Sequence, residues 1–384
     1  MPRTFDCPKC GAPVNYSKNP SGQDFNVTCS YCNTVLAQPD EMLGRPAHIV
    51  QVKFDAPRTI KVPKWIWLII FLPILGVGIA LIAAMAGLTA GFSALKSKST
   101  TTSPLGGVTT PGKGSTSSGL GTVLLKFGAE GIGPGMFKDA RSIAVDGAGN
   151  IYVGEYSGGR IQVFDSAGKF VTQWSVDPKM PLRGLAADRK GNVYVVQRGT
   201  IQRFEGSSGK QLGELQYSGG SGFDDITAAP DGGLVCAWYE NRDDIVRFDA
   251  GGHAVRTIKA AISTASGESE LNTRVAIDGL GNIYALGTFN DAVFKFGPDG
   301  KFINRFGSSG EQPGQFRAAS AIAVDGKGRV YVSDIKGVQM FDGEGRYLDT
   351  FKPDGGHASG MVFNDQNELF VVDRTKVVKL SLRQ

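Results

Sequence analysis

Six stretches of residues 122–384 repeat one arrangement of apolar and polar positions. In each, an apolar run leads into a tight turn of Asp, Gly and Asn residues, and a second apolar run follows; this pattern is typical of two paired strands. The stretches read SIAVDGAGNIYVGE from Ser142, GLAADRKGNVYVVQ from Gly184, ITAAPDGGLVCAW from Ile226, VAIDGLGNIYALG from Val275, AIAVDGKGRVYVSD from Ala321 and MVFNDQNELFVVD from Met361. Equivalent positions recur every 39 to 49 residues.

Two more strands are predicted after each pair, so that every repeat holds four strands. The third segments are RIQVFD, IQRFE, IVRFD, AVFKFG, VQMFD and VVKLSL, and the fourth are FVTQW, QLGEL, AVRTI, FINRF and YLDTF. Four strands per repeat of this length form one blade of a β-propeller. The sixth repeat ends after its third strand, at Leu382, and Thr122–Phe127 ahead of the first repeat has the pattern of the missing strand. The sequence therefore predicts an all-β, six-bladed propeller over residues 122–384, closed into a ring by its first strand.

A different pattern precedes the propeller: no charged residue occurs between Lys64 and Lys96. About 20 apolar residues suffice to cross a bilayer, and a buried core helix rarely stays uncharged for this length. Residues 65–92 are therefore predicted to form one transmembrane helix, and Trp65 and Trp67 begin it at the level of the lipid headgroups. Five Lys and Arg residues flank it on the N-terminal side, in the juxtamembrane segment 41–64, against three on the other. This bias predicts a single-pass protein in the cell membrane, with a cytoplasmic N-terminus and an extracytoplasmic propeller.

Two features of the membrane region bear on how the protein is displayed. Residues 93–121 are rich in Ser, Thr and Gly, which predicts a flexible linker. Ala83, Gly87 and Gly91 share one helix face, a small-residue stripe of the kind that packs transmembrane helices into a homodimer. Such residues are also common in spans that do not pair.

The N-terminal residues 1–40 carry two matched pairs of cysteines, Cys7 with Cys10 and Cys29 with Cys32. Each pair has two residues between its thiols, and 18 residues separate the pairs, a spacing that predicts a tetrahedral zinc site. Because four thiolates fill the coordination sphere, the zinc would be structural and the segment a zinc ribbon. The alternatives are two disulfides or a thioredoxin-like motif. The fifth cysteine, Cys236, lies in an apolar run and is interpreted as a buried small residue.

Charge argues against nucleic acid as a partner of the propeller. Residues 122–384 hold 30 Lys and Arg residues against 31 Asp and Glu, so that the net charge of +5 comes from the N-terminal third. A dedicated nucleic-acid binder concentrates basic residues.

The GPGMF and QPGQF loops, followed by IAVDG and IYV, resemble the NHL-repeat propellers. The resemblance covers residues 122–384, and the third and sixth repeats fit it least. Together with the zinc ribbon and the single span, it implies a membrane-anchored NHL-repeat protein of bacterial type.

The two faces of the predicted propeller differ in their loops. We call the face where the first strand of each blade begins the top face; its loops are long and dissimilar, whereas the bottom turns are short and uniform. Function therefore belongs to the top face. Two rings of side chains are expected around the top of the channel as a site for a protein, peptide or glycan ligand: Arg141, Arg183, Asp224, Thr273, Ser320 and Ser359; and Glu155, Gln197, Trp238, Gly287, Asp334 and Asp373. The alternative is that these groups satisfy one another and bind only water.

Catalytic motifs are scarce. The propeller has two histidines, His253 in a bottom turn and His357 on a top loop, which excludes a three-histidine zinc site. A calcium site formed by Glu155, Asp334 and Asp373 stays open. The leading hypothesis is a non-enzymatic, membrane-anchored recognition or sensor protein. The alternative is a cell-surface hydrolase or lyase with a divalent cation in the channel.

Overall fold

The structure is a computed structural model. It describes residues 121–239, 243–353 and 356–383 in full, and the backbone of four short strands near the N-terminus. The predicted transmembrane helix, the linker and all four paired cysteines lie outside these residues. Within the described part of the chain, no helix combines the length and the apolar character needed to cross a membrane.

The four N-terminal strands form two antiparallel hairpins. Arg3–Asp6 pairs with Pro13–Tyr16, and Val27–Thr28 pairs with Val35–Leu36. In the sequence, Cys7 and Cys10 fall between the two strands of the first hairpin, and Cys29 and Cys32 fall between those of the second.

The C-terminal part consists of six four-stranded antiparallel sheets, each of which is one blade. The first strands of neighbouring blades contact one another in a ring, and the ring closes between blade six and blade one. The predicted fold class is thus confirmed for the propeller.

The strand bounds follow the predicted repeats. Blade one contains Ala140–Val145, Ile151–Glu155, Arg160–Phe164 and Phe170–Ser175. Blade two contains Gly184–Ala187, Asn192–Gln197, Thr200–Glu205 and Gln211–Glu214. Blade three contains Phe223–Ala228, Leu234–Trp238, Asp244–Phe248 and Ala254–Ile258.

The second half is built in the same way. Blade four contains Thr273–Ile277, Ile283–Gly287, Ala292–Phe296 and Phe302–Phe306. Blade five contains Ala321–Val324, Val330–Asp334, Gly337–Phe341 and Tyr347–Phe351. Blade six contains Gly360–Phe363, Leu369–Asp373 and Lys376–Leu382. A short helix, Ala261–Ser266, precedes blade four, and two small strands, Ala129–Glu130 and Met136–Phe137, precede blade one.

The fourth strand of blade six comes from the start of the domain, as predicted. Gly121–Phe127 pairs with Lys376–Leu382 in an antiparallel register that brings Phe127 opposite Val377 and Gly121 opposite Leu382. The closing strand therefore runs from the bottom face to the top face, and it covers an edge that would otherwise be open.

A repeated hydrogen-bond network makes the bottom turns uniform. In blade one, Asp146 Oδ1 accepts bonds from the backbone N–H groups of Ala148 and Asn150, both at 2.9 Å. Its Oδ2 accepts from Asn150 Nδ2 and from the Tyr152 hydroxyl, both at 2.8 Å. The same arrangement recurs in blades two, four and five at Asp188, Asn192 and Tyr194; Asp278, Asn282 and Tyr284; and Asp325, Arg329 and Tyr331. These aspartate-containing turns are structural, as expected from the sequence.

The two repeats that fit the pattern least replace this network. Blade three has Ala229 at the aspartate position, and the Arg247 guanidinium binds the Leu234 carbonyl at 3.0 Å and the Asp231 carboxylate at 2.5 Å. In blade six, Asn364 bonds Glu368, whose carboxylate also pairs with Lys379 at 2.6 Å.

The core lies between blades. Tyr152 and Ile161 of blade one pack with Val193 and Phe204 of blade two, and an equivalent cluster joins every neighbouring pair around the ring. Cys236 is fully buried, as interpreted from the sequence, and burial raises the pKa of its thiol.

Candidate functional site

A central channel runs between the first strands of the six blades. It encloses a cavity of about 530 Å³, lined from every blade. At its lower end, the bottom turns of blades two and six meet in an ion pair between Arg189 and Asp365. The upper end is the mouth at which the ligand site was predicted.

The first predicted ring lies partly at this mouth. Arg141, Arg183, Ser320 and Ser359 line the channel. Asp224 and Thr273 are buried, and the channel is lined instead by their neighbours Asp225, Asn272 and Arg274.

Strand geometry explains why the ring is uneven. In blades one and three the pairing of the first strand shifts by one residue at Arg141 and at Asp224, so that each is the extra residue of a β-bulge. In blade four, Thr273 pairs regularly with Gly287, and alternation along the strand turns its neighbours toward the channel. Positions that are equivalent in the sequence repeats therefore face different directions in different blades.

The mouth is rich in arginine. Of the charged residues that line the upper channel, Arg141, Arg183, Arg274 and Arg374 are cationic, whereas Asp225 is anionic. Each guanidinium has a carboxylate partner. Arg183 Nη1 lies 3.1 Å from Asp224 Oδ1, and Arg274 Nη1 lies 3.6 Å from Asp225 Oδ1.

Two arginines share a single carboxylate where blades one and six meet. Arg141 binds both oxygens of Asp139 at 2.9 Å, and Arg374 Nε donates to Asp139 Oδ1 at 3.0 Å. Arg141 also stacks on the ring of Tyr156, with its guanidinium carbon 4.1 Å from the ring centre. Burial would raise the pKa of Asp139, but the two guanidinium groups lower it overall.

Asp225 has the opposite electrostatic behaviour. Burial raises the pKa of its carboxyl to about 6, although Arg274 and the backbone N–H of Val275 favour the charged form. The neighbouring carboxylate of Asp224 adds to the rise. The pair Asp224 and Asp225 therefore concentrates acidic groups on one side of the mouth.

The second predicted ring is buried beside the top loops rather than in the channel lining. Glu155 Oε1 accepts from the backbone N–H of Lys138 at 2.7 Å, and Gln197 Nε2 donates to the carbonyls of Asp177 and Met180. Trp238 Nε1 donates to the Ser221 carbonyl at 2.9 Å.

Blade five repeats this use of the strand end. Asp334 Oδ2 accepts from the backbone N–H of Arg317 and from Gln339 Nε2, and Asp373 is half-buried at the equivalent turn of blade six. Gly287 is buried and lacks a side chain. These residues position the loops that surround the mouth.

The described residues contain no cluster of three or more His, Cys, Asp or Glu side chains that could hold a metal ion. The calcium hypothesis takes Glu155 and Asp334 as ligands. In the structure, Glu155 is ion-paired with Arg160 at 2.5 Å, and Asp334 lies 3.6 Å from Lys336 Nζ. The predicted zinc ligands Cys7, Cys10, Cys29 and Cys32 are outside the described residues, so the zinc site stays a prediction.

The structure adds residues to the mouth that the sequence analysis did not select for it: Asp139, Tyr156, Asp225, Asn272, Arg274, His357 and Arg374. His357 Nε2 lies 3.1 Å from Ser320 Oγ, which is also 3.0 Å from the Ala358 carbonyl. The only available sequence signal was their place on top loops or at a strand start.

Taken together, the fold and the channel define a six-bladed β-propeller. A gluconolactonase from Xanthomonas campestris is similar in structure, with a TM-score of 0.50 and 17% identity over 68% of this chain and 98% of that chain. The WD40 β-propeller domain of Doa1 gives a TM-score of 0.47 at 12% identity, covering 70% of this chain and 98% of that one. A protein of unknown function from Bacteroides caccae gives 0.45 at 14% identity, covering 61% and 88%. At these identities the likeness concerns the fold alone. No family model and no curated protein matches the chain.

Proposed function

We propose that the protein is a membrane-anchored recognition protein whose NHL-type propeller binds a protein, peptide or glycan ligand through its top face. The observation that carries this proposal is the channel mouth. Arginine and aspartate side chains from five of the six blades converge there around an open cavity, a concave polar site of the kind that orients a ligand.

A second asymmetry favours the top face. Among the described residues outside the six four-stranded sheets, all large apolar side chains that are exposed lie on the top face: Ile132, Met136, Tyr239, Leu271, Phe289 and Ile335. The described bottom turns carry none. Exposed apolar residues beside a polar pocket are typical of surfaces that bind partners.

The NHL assignment is supported by the repeated bottom turns and by the matching GPGMF and QPGQF loops before blades one and five. The zinc ribbon is supported by the two hairpins, because one Cys-x-x-Cys pair falls in the sequence between the strands of each hairpin. Structural zinc would then supply folding free energy to a segment too small for an apolar core.

The membrane anchor rests on the uncharged run at residues 65–92, and the orientation on its flanking positive charge. Since the closing strand starts at the bottom face, a linker that ends at Gly121 would join the propeller from below. The top face would then point away from the membrane. Protease treatment of intact cells should degrade the propeller and spare the N-terminal segment.

The ligand-binding proposal is tested by capture of partners with residues 121–384. Changing Arg141 and Arg183 together to Ala should abolish capture without unfolding the propeller, whose circular dichroism spectrum should be unchanged. Arg189→Ala provides a matched control, because it removes an arginine from the opposite end of the same channel. Unchanged capture by the double variant would reject the proposal.

A hydrolase is the second candidate, and the contact between Ser320 and His357 favours it. A serine hydroxyl within hydrogen-bond reach of an imidazole is the first requirement of a nucleophile and its base. Labelling of Ser320 by a fluorophosphonate, lost in His357→Ala, would support this candidate. Metal analysis of residues 121–384 tests the other form of the hypothesis, a hydrolase or lyase with a divalent cation in the channel.

A further inference from the structure

Two top loops, residues 128–140 before blade one and residues 307–319 before blade five, share one backbone scaffold. Gly131 donates to the Phe137 carbonyl at 3.1 Å, as Gly310 does to that of Phe316 at 3.0 Å. A buried glutamine supports each loop from the third strand of its blade: Gln162 accepts from Gly135 N, and Gln339 accepts from Gly314 N. Each glutamine also donates at 2.7 Å to a loop carbonyl, that of Met136 or that of Gln315. The protein therefore contains two copies of one loop, which can be compared position by position.

The outward side chains of the two copies differ in chemistry. Ile132, Met136, Asp139 and Arg141 of the first loop correspond to Glu311, Gln315, Ala318 and Ser320 of the second. In the second loop Glu311 is paired with Arg317. In the first, Ile132 is 71% exposed and Met136 is 42% exposed. Because the scaffold is the same, backbone geometry does not require these apolar residues at the surface.

The apolar pair is held in place by Arg160. Its guanidinium donates to the Ile132 carbonyl at 2.5 Å and to the Met136 carbonyl at 2.9 Å, and it is anchored to Glu155. The backbone at both residues is thus fixed before any partner arrives. A preorganised pair of this kind costs less ordering entropy on binding than a mobile one.

Positive charge lies beside this pair. Asp139 is three residues after Met136, and it is shared by the guanidinium groups of Arg141 and Arg374. Two cations and one carboxylate leave a net charge of +1 at this point, which a second carboxylate would neutralise. Nucleic acid is a poorer match, since the propeller as a whole is close to neutral.

We propose that the loop of blade one, together with Arg374, binds an extended segment of a partner protein that carries an Asp or Glu side chain and a large apolar side chain about three residues apart. This inference rests on the proposed recognition function and names its ligand class. The carboxylate pairs with Arg141 and Arg374, and the apolar side chain packs on Ile132 and Met136. The spacing is bounded by the loop, because Asp139 is three residues after Met136 and three extended residues span at most roughly 10 Å.

The test is a selection of random twelve-residue peptides on the full chain in detergent micelles. The peptides that bind should be enriched in Asp or Glu placed about three positions from a large apolar residue. The decisive variant gives the first loop three of the four outward residues of the second: Ile132→Glu, Met136→Gln and Arg141→Ser. Because the second loop carries these residues on the same scaffold, the variant should fold. Selected peptides should bind it at least about tenfold more weakly, the loss expected for one charge-assisted contact.

The control variant changes Glu311 and Gln315 of the second loop to Ala and should leave affinity unchanged. Equal binding of selected peptides to the wild type and the loop variant would overturn the inference. If that binding were still lost in the Arg141 and Arg183 double variant, the proposed function would survive. A selection that enriches no peptide, or Arg141-dependent binding of a random single-stranded oligonucleotide pool instead, would also overturn the inference.

Discussion

The bottom-turn network predicts a specific cost for the loss of one hydroxyl group. The Tyr152 hydroxyl donates to Asp146 Oδ2 at 2.8 Å, and Tyr152 is 1% exposed. A hydrogen bond to a charged group contributes about 1.5–3 kcal/mol, and Asp146 Oδ2 keeps its bond from Asn150 Nδ2 when the hydroxyl is removed. Tyr152→Phe should therefore lower the free energy of unfolding by about 1.5 kcal/mol. In a domain of this size, that loss corresponds to a fall in melting temperature of roughly 3–6 °C.

A double-mutant cycle isolates the contact from the rest of the side chain. Asp146→Ala alone should cost more than Tyr152→Phe, because it removes the acceptor of four hydrogen bonds. In the Asp146→Ala background, Tyr152→Phe should cost less than about 0.5 kcal/mol, leaving a coupling energy of about 1 kcal/mol. Urea unfolding of residues 121–384, followed by near-ultraviolet circular dichroism, measures all four corners.

The control is Tyr347→Phe. The Tyr347 hydroxyl bonds Thr350 Oγ1 at the exposed outer edge of blade five, and removing this hydroxyl should change stability by less than about 0.5 kcal/mol. Costs that simply add in the double variant, or a Tyr152→Phe protein as stable as the wild type, would refute the reasoning. Blade six gives a natural precedent for changing both partners, since Asn364 and Phe370 occupy the two positions there.

Three further predictions concern pH, closure and zinc. The folded-state pKa of Asp225 is raised to about 6, above the roughly 3.9 of an unfolded chain, so the folded state binds the proton more tightly. The contribution of this group to stability should therefore fall as pH rises from about 4 to above 6. Urea titrations of wild type and Asp225→Asn across this range measure it as their difference, and a difference independent of pH contradicts it. Deleting residues 121–127 from the propeller should lower its melting temperature by more than about 10 °C, measured by differential scanning fluorimetry. It should also promote association through the exposed edge of Lys376–Leu382, measured by size-exclusion chromatography. An unchanged melting temperature would contradict the closed ring. The full chain should bind one zinc ion by elemental analysis, and Cys29→Ser should lose it, whereas Cys236→Ser should retain it; equal zinc in both variants would reject the ribbon.

Much of the propeller was predictable because the features that define each repeat are local in the sequence. Alternating apolar runs and Asp-Gly turns depend on neighbours in the chain, so blade number and strand order followed from the sequence alone. The closing strand was predictable for the same reason, because Thr122–Phe127 has the pattern of the strand that blade six lacks.

The channel mouth was less predictable, because side-chain direction depends on register. A bulge at Asp224 buries that residue and turns Asp225 toward the channel, although both are equally polar in sequence. Where the ring closes, Arg374 of blade six pairs with Asp139 before blade one, and these two residues are 235 positions apart in the sequence. No periodicity within one repeat carries information about such a contact.

Repetition also offers a way to separate folding from function within one chain. A residue that recurs in most blades, such as the tyrosine of the bottom turns, is explained by the contact it repeats. A residue that departs from its counterparts on an unchanged scaffold needs another explanation. Ile132 and Met136 are of this second kind, because Glu311 and Gln315 occupy the same places in a loop with the same hydrogen bonds. Exposing two large apolar side chains gains nothing for the fold, since burial is what makes such groups stabilising. Differences between blades, rather than their common pattern, are therefore what supports the proposed partner-binding surface.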